Sequence, residues 1–518
     1  MCIPTTSLPQ VCLGLSLCFY LFSRYYMVQQ NHIWNELWFL IPESIILGYG
    51  FIQISLISHL YFRFLLQKER DKSLPEFHEI PISSLPFVFV IIPVFNESPS
   101  IIWETLSFAR QIQYEYFHII VADDGTPGHL SILQHELRQL QNVTYKRRQH
   151  IFQHAKAGNI NDTLEFIESH FPRDHRHRLV LILDCDMTVR PSILQVLVPY
   201  FFSVSEQRSS LSWNPQIAFV QSPQTFYNLM IPDVMGQAYS YFYQIILPAW
   251  SMTREGVPCC GTNVLFSYEI LQSIHGFQYG SVTEDFNTSL YIHSHGYQSR
   301  YVTTELASGI ATERISDFYR QRKRWYLGGL QIFLDRSFFS KIAHVSPASR
   351  FFYVTCCGSP FLSLLWIILL MNPFFGFPKT HFQTQVYLVL FGLYCSLYLA
   401  LCFFLYFRIG YFYLWSSVQE TIFMLPCQLY SLWDRLSPFH YSFSFDVTPK
   451  LFFSRICFQD FVWLFFCSLY PLATIMYLIS NPPHSYNIIS VFWACFLSFC
   501  FLNPFFFFIQ SVFRQIEM

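Results

Sequence analysis

The chain has 518 residues, a formal net charge of −1, 13% charged residues, 19% aromatic residues and 58 phenylalanines. So little charge, so nearly balanced, excludes nucleic-acid binding driven by bulk electrostatics, and the Phe content departs from that of an ordinary soluble protein. The 15 cysteines show no C-x-x-C spacing and the pairs Cys259-Cys260 and Cys356-Cys357 fit no zinc pattern, so neither a disulfide scaffold nor a zinc module is expected.

Apolar runs that could serve as membrane spans fall near 10–28, 38–66, 351–371, 384–408, 455–480 and 487–513; a span needs about 20 mostly apolar residues. The first run lacks the basic flank and small-residue cleavage site of a secretory signal, so a retained anchor is expected. The pattern divides the chain into two N-terminal transmembrane helices (1–72), a soluble unit (84–345) and a C-terminal transmembrane region (346–518). Arg63, Lys68, Arg70, Lys72, Lys341, Arg350, Arg408, Arg435, Lys450, Arg455 and Arg514 flank the spans on one side, whereas the loops 372–383 and 481–486 hold one Lys between them. The positive-inside rule then places 70–345 and 409–454 in the cytoplasm, with Arg24 the one residue against it.

Within 84–345 the strand-like runs FVFVIIP (87–93), HIIVADDG (118–125) and LVLILDCD (179–186) alternate with helical stretches at 100–113 and 158–170. Strand–helix–strand order predicts an α/β unit with a parallel sheet, and such sheets bind ligands at the carboxyl ends of their strands, where Asp123, Asp124, Asp184 and Asp186 fall. Asp184 and Asp186 repel each other and invite a hard cation of the kind held by one or two carboxylates plus phosphates. In HAKAGNIND (154–162), Lys156 reads as a phosphate contact on a small-residue loop, with Gly158 letting backbone approach the ligand.

SVTEDFNTSLYIHSHG (281–296) reads as a helix with Thr283 as N-cap and Gly296 as its end signal, and with Glu284 or Asp285 as a general base. In SDFYRQRKRWYLGGLQIF (316–333), Gln321, Arg324 and Trp325 share a helical face, offering a guanidinium to phosphate and a flat ring to a sugar. Each motif also has a plain structural reading. The aspartates suit turns, Lys156 suits a solvated site, Glu284 and Asp285 suit a helix N-terminus, and Arg320, Arg322 and Lys323 suit a basic helix lying on anionic lipid.

As an ordered set, VIIPVFNE (90–97), DDG (123–125), HAKAGN (154–159), DCD (184–186), VQSPQTFYN (220–228), TED (283–285) and QRKRW (321–325) resemble processive family-2 glycosyltransferases with a GT-A fold. The segment FSFDVTPK (443–450) resembles the FxVTxK gating loop of the cellulose synthase catalytic subunit through Phe445, Val447, Thr448 and Lys450, with the loop taken as 440–452. That resemblance makes 411–433, with Trp415, Glu420 and Trp433, a helix at the membrane interface.

The resemblance implies a GT-A (Rossmann-like) domain inserted between the helices of a multi-pass protein of the inner (plasma) membrane. It implies that Glu97, Asp123, Asp124 and Lys156 hold the nucleotide and that Asp184 and Asp186 hold the donor and Mg2+ (or Mn2+). Gln321 and Arg324 would meet the diphosphate, Asp285 beside Glu284 would be the base, and Trp325 would carry the acceptor. The expected reaction is polymerisation of UDP-glucose into a β-1,4-glucan exported through the membrane half. Another UDP-hexose, a single-transfer glycolipid acceptor, or a non-catalytic sugar channel are the alternatives. Expected partners are the UDP-sugar, the growing polysaccharide, membrane lipid and a periplasmic export subunit. No counterpart of the PilZ domain that binds cyclic di-GMP in bacterial cellulose synthases is expected, because the sequence ends at Met518.

Overall fold

The computed structural model describes residues 7–30, 37–70, 74–128, 130–148, 154–204, 211–229, 239–312, 315–375 and 424–436, with scattered helical positions between 389 and 402 and at 472–476. The proposed gating loop at 440–452 and the runs at 455–480 and 487–513 lie outside this described set almost entirely.

Strands β1 (Phe87–Val94), β2 (Phe117–Asp123), β3 (Val143–Arg147) and β4 (Arg178–Ile182) are parallel neighbours. With β5 (Ile217–Gln221), β6 (Val264–Ser267) and β7 (Gln298–Tyr301) they form one seven-stranded sheet in the order β7-β5-β6-β4-β1-β2-β3. The unbroken β-branched and aromatic runs reflect burial on both faces. Along β1, Phe89 and Ile91 enter one core while Val88, Val90 and Ile92 enter the other. This is the two-residue alternation of a strand.

The expected parallel sheet holds for β1–β4 and for the β5–β7 pair. β6 runs antiparallel to both β4 and β5, so the sheet is mixed. The reason lies in the loop before it: Asn263 donates its amide to the Ile182 carbonyl (3.0 Å), so β6 begins at the edge where β4 ends. The 251–263 loop is thereby laid against Asp184.

The longer helices are α1 (Ser7–Gln30), α2 (Leu37–Arg70), α3 (Pro99–Ala109), α4 (Ala155–His170), α5 (Glu284–Ser294), α6 (Ile315–Phe333), α7 (Pro347–Phe375) and α8 (Leu425–Leu436). The helices expected at 100–113 and 158–170 are α3 and α4. α3 opens with Ser98 at the cap position and Pro99 at the first helical one, where a missing amide hydrogen costs nothing. Two described stretches are long and apolar enough to cross a membrane, Leu40–Gln67 and Pro347–Ile368, and Gln10–Ser23 is a shorter apolar helix. Leu13, Leu17, Tyr20, Ile54 and Ile57 of α1 and α2 join the same buried cluster as Phe89 and Ile91, so the apolar helices and the α/β unit share one core. α8 packs on α6 and α7. It covers the second half of the expected 411–433 helix and runs past it to Leu436, and the earlier half lies outside the described residues.

Candidate active site

The acidic motifs gather at one edge because parallel strands in one sheet finish there. The register that pairs Val94 with Asp123 brings the loop after β1 against the loop after β2. Asn96, at φ 59°, accepts the Thr126 amide at 2.8 Å and fixes that junction, while Glu97 accepts the Phe95 amide. Asp123 is fully buried. Its Oδ1 accepts from the Gly125 amide (2.8 Å), and its Oδ2 accepts from the Tyr145 hydroxyl (2.6 Å) and Arg147 Nη1 (3.0 Å). Burial, then the bond to Asp123, pushes the Tyr145 hydroxyl up to about 12. Asp124, also buried, pairs with Arg148 at 3.2 Å. The DDG motif is therefore an arginine-braced corner, and Asp123 serves it with both carboxylate oxygens engaged.

A second cluster forms around Lys156. Its ammonium donates to Asp184 Oδ1 at 2.6 Å and to the Gly261 carbonyl at 2.8 Å. Burial works against its charge, but Asp184, Glu284 and Asp285 together hold its pKa above the ordinary lysine value. Lys156 thus stands with the second acidic pair and the TED motif rather than with Asp123.

Two local expectations need correcting here. Lys156 is not on a loop: it lies in the first turn of α4, after His154 in the left-handed region at φ 58°. Gly158 is buried inside that helix and offers no backbone to a ligand. The small residues serve close packing instead, and Asn159 donates to the Ala122 carbonyl of β2 at 2.7 Å.

Asp184 lies two residues past the end of β4. Its amide donates to Thr262 Oγ1 (2.9 Å), and its side chain is 39% exposed, whereas Asp186 is buried. Among the described residues no group of three or more His, Cys, Asp or Glu side chains stands ready to hold a metal. Asp184 and Asp186 still suit one, since hard cations such as Mg2+ take carboxylate oxygens and complete their shell with phosphate and water.

Glu284 and Asp285 open α5. Burial and its neighbour Asp285 push Glu284 up to about 7, while Lys156 and Arg324 pull the other way. Burial also raises Asp285, against Lys156 and the Phe286 amide that it accepts at 2.8 Å. Thr283 occupies the expected cap position but makes no capping bond. Its hydroxyl instead meets Ser281 (3.0 Å) and packs on Gly328 of α6, where a Cβ would overlap Thr283 Oγ1. Ser281 donates to the Gly328 carbonyl (3.0 Å) and the Val282 amide donates to Gln331 Oε1 (2.8 Å). These bonds fasten the TED turn to the helix carrying Gln321, Arg324 and Trp325, and so bring Arg324 within electrostatic reach of the acidic pair.

Gln321 and Trp325 are half-buried. The reading of Arg322 as a lipid-facing charge is overturned: it is 1% exposed, and its guanidinium lies over the rings of Trp325 (4.2 Å), Tyr239 (4.4 Å) and Phe318 (4.7 Å). Residues i and i+3 adjoin on a helix, so the charge turns inward onto Trp325 instead of out to solvent.

The loop 258–263, assigned nothing from sequence, completes the cluster. Gly261, at φ +88°, lies where a Cβ would stand 2.7 Å from Asp285 Oδ2. Gln221 brackets the loop by donating to the Pro258 carbonyl (2.7 Å) and accepting from the Cys260 amide (3.0 Å), and Gln224 donates to the Cys260 carbonyl (2.7 Å). Burial, reinforced by Asp285, pushes the Cys259 and Cys260 thiols up.

Residues 89–203 match the Glycosyl transferase family 2, and residues 179–433 match the Glycosyl transferase family group 2. The chain carries a family-2 glycosyltransferase domain. The chain is 35% identical over 189 residues to a UDP-forming cellulose synthase of Dictyostelium discoideum, covering 36% of this chain and 17% of that protein. It is 26% identical over 340 residues to the UDP-forming cellulose synthase catalytic subunit of Komagataeibacter sucrofermentans, covering 62% of this chain and 41% of the relative. The chain thus spans well under half the length of these relatives. A mannosyltransferase of Pyrobaculum calidifontis, solved with GDP-Man and Mn2+, superimposes with a TM-score of 0.41 at 18% identity, over 75% of this chain and 99% of that one.

Proposed function

We propose that this protein is a membrane-embedded, processive, inverting glycosyltransferase that polymerises sugar from a UDP-sugar and passes the polymer across the membrane. UDP-glucose as donor and a β-1,4-glucan as product fit best. The observation that carries the reading is the single charge network joining Asp184, Lys156, Glu284, Asp285 and Arg324. In this reading the network supplies a base, two cations and a donor-side carboxylate to one reacting centre.

The chemistry follows from those charges. Asp285 takes the proton of the acceptor hydroxyl, whose oxygen bonds to the anomeric carbon from the face opposite the nucleotide. The bond from that carbon to the UDP oxygen breaks, and the leaving group takes the electron pair. Lys156 and Arg324 receive the negative charge that builds there, stabilisation supplied before the reaction begins. Asp184 and Asp186 would hold a divalent cation, Mg2+ or Mn2+, which supplies Lewis-acid stabilisation of the departing diphosphate. Glu97, Asp124, Arg147 and Arg148 border the nucleoside end, with Asp123 bracing them. Trp325, backed by Arg322, offers its ring to the acceptor sugar, and Gln321 lies one turn before it. The loop containing Phe445, Val447, Thr448 and Lys450 would cover the donor. The catalytic domain faces the cytoplasm of the inner membrane in this reading, and a periplasmic subunit receives the product.

The test is synthesis by membranes containing the purified protein, given radiolabelled UDP-sugars and Mg2+. Insoluble product from UDP-glucose that a β-1,4-specific glucanase dissolves is expected. Incorporation from a different UDP-hexose only, or a soluble singly glycosylated lipid, would overturn the substrate and the processivity respectively.

A further inference from the structure

His293, on α5 two turns beyond Asp285, is 0% exposed and takes no part in the chemistry above. Its Nδ1 lies 2.8 Å from the Tyr353 hydroxyl of α7, and its Nε2 lies 3.1 Å from Ser299 Oγ of β7. Ser299 Oγ in turn donates to the Val257 carbonyl at 2.6 Å. That short contact fixes the Ser299 proton on Val257, because two acceptors would repel at this distance. Ser299 Oγ must therefore accept from His293, which places the imidazole proton on Nε2 and leaves Nδ1 to accept from Tyr353. Burial lowers His293 to about 4, in keeping with a neutral ring.

The chain of donors is thus directional: Tyr353 to His293, His293 to Ser299, Ser299 to Val257. It starts on an apolar helix and ends on the loop whose Gly261 carbonyl holds Lys156. A second tie runs alongside. The buried Glu255 carboxylate accepts the Ser346 amide (2.8 Å), the Ser346 hydroxyl (2.6 Å) and the Ser349 hydroxyl (2.8 Å) at the start of α7, while its carbonyl accepts the Ser299 amide (2.8 Å). Between them the chain passes so close that a Cβ on Gly256, at φ +94°, would overlap the Ser299 carbonyl oxygen. A neutral hydrogen-bond chain with every member satisfied is worth more as a specifier of geometry than as a source of stability.

We propose that His293 is a positioning residue of the transfer reaction, fastening the base-bearing helix α5 and the 257–263 loop to the apolar helix α7. The inference rests on the transferase reading above and deepens it: the His293 imidazole, alongside the Glu255 tie, holds Asp285 and Lys156 in register with α7. His293→Phe keeps a ring beside Phe219, against which His293 stacks, and removes both hydrogen bonds. His293→Gln keeps a donor near the Nε2 position. Tyr353→Phe cuts the link at α7 alone.

The experiment measures UDP release and sugar incorporation by each variant in membranes, together with hydrogen exchange of the amides of 259–263. For His293→Phe the expected result is a fall in kcat of about tenfold or more with donor KM unchanged, since misplacement acts on the transition state more than on ground-state binding. Loop exchange should quicken by about tenfold, Tyr353→Phe should follow in the same direction, and His293→Gln should recover most of both. Wild-type rates and exchange in His293→Phe would overturn the inference. So would a loss in which KM rises in step with falling kcat and His293→Gln does no better than Phe. If wild-type protein turns over no UDP-sugar, the transferase substrate is wrong, and exchange at 259–263 alone then decides the fastening.

Discussion

Gly261 and Asp285 approach so closely that a Cβ on the glycine would stand 2.7 Å from the carboxylate oxygen. The glycine is doubly required, because its φ of +88° also lies in the left-handed region that side chains resist. The space a side chain would take is the space in which Asp285 meets Lys156.

Gly261→Ala should therefore lower kcat by about tenfold to a hundredfold while the fold survives, since an ångström of displacement at a reacting group has that effect. Steady-state kinetics with far-ultraviolet circular dichroism checks it. Wild-type kcat would show that the loop is not part of the site.

Lys156→Met removes the cation shared by Asp184, Glu284 and Asp285. Loss of a preorganised charge of this kind costs about a hundredfold or more in kcat. Glu284 and Asp285 also lose a group that pulls their pKa values down, so the acid limb of the residual pH–rate profile should move to higher pH. A limb that stays in place or moves to lower pH contradicts the assigned network.

The acidic pair makes activity and stability respond to pH in opposite senses. Burial raises Glu284 to about 7, well above its ordinary value, and raises Asp285 as well. The base, Asp285, works only when ionised, so the acid limb of turnover should lie above the ordinary aspartate range. For folding the sign reverses. Between the unfolded value, about 4.3 for Glu, and the folded one, the native state binds more protons than the unfolded state. Stability is then highest below the unfolded value and is lost as pH rises toward 7. Glu284→Gln should raise the melting temperature at pH 8 more than at pH 5, read by thermal denaturation in detergent. An equal change at both pH values would contradict a Glu284 titration between them.

Gly328→Val would push α6 away from Thr283, whose Oγ1 already occupies the space a Cβ would need. Arg324 rides on that helix. UDP affinity and kcat should both fall by about tenfold, the scale of one charge-assisted contact, as measured by calorimetry and kinetics. Unchanged UDP affinity would detach Arg324 from the nucleotide.

Much of this site could be read from residue order. Runs such as FVFVIIPV can only be doubly buried strands, and carboxylates at their ends must share an edge once the strands are parallel. The relations that close the site were not legible. Nothing local to PCCGTN says that its strand runs antiparallel, yet that reversal lays Gly261 on Asp285. Lys156 reads as a loop residue because Gly158 and Asn159 beside it are weak helix formers, but the same small residues let α4 approach β2. Arg322 reads as surface because charge is costly to bury, until Phe318 and Trp325 of its own helix and Tyr239 from a distant segment supply its surroundings. Gln221 and Gln224 sit inside VQSPQTFYN, with roles visible only once the loop they bracket is in place.

In the proposed reaction Asp285 deprotonates the acceptor while the cluster around it binds the donor. Calorimetric titration of UDP with Mg2+, paired with sugar incorporation by Asp285→Asn, tests it most directly. UDP should bind within about threefold of wild type, the scatter expected of a change that leaves ground-state contacts intact, with no detectable sugar transfer. Normal polymer yield from Asp285→Asn would contradict it.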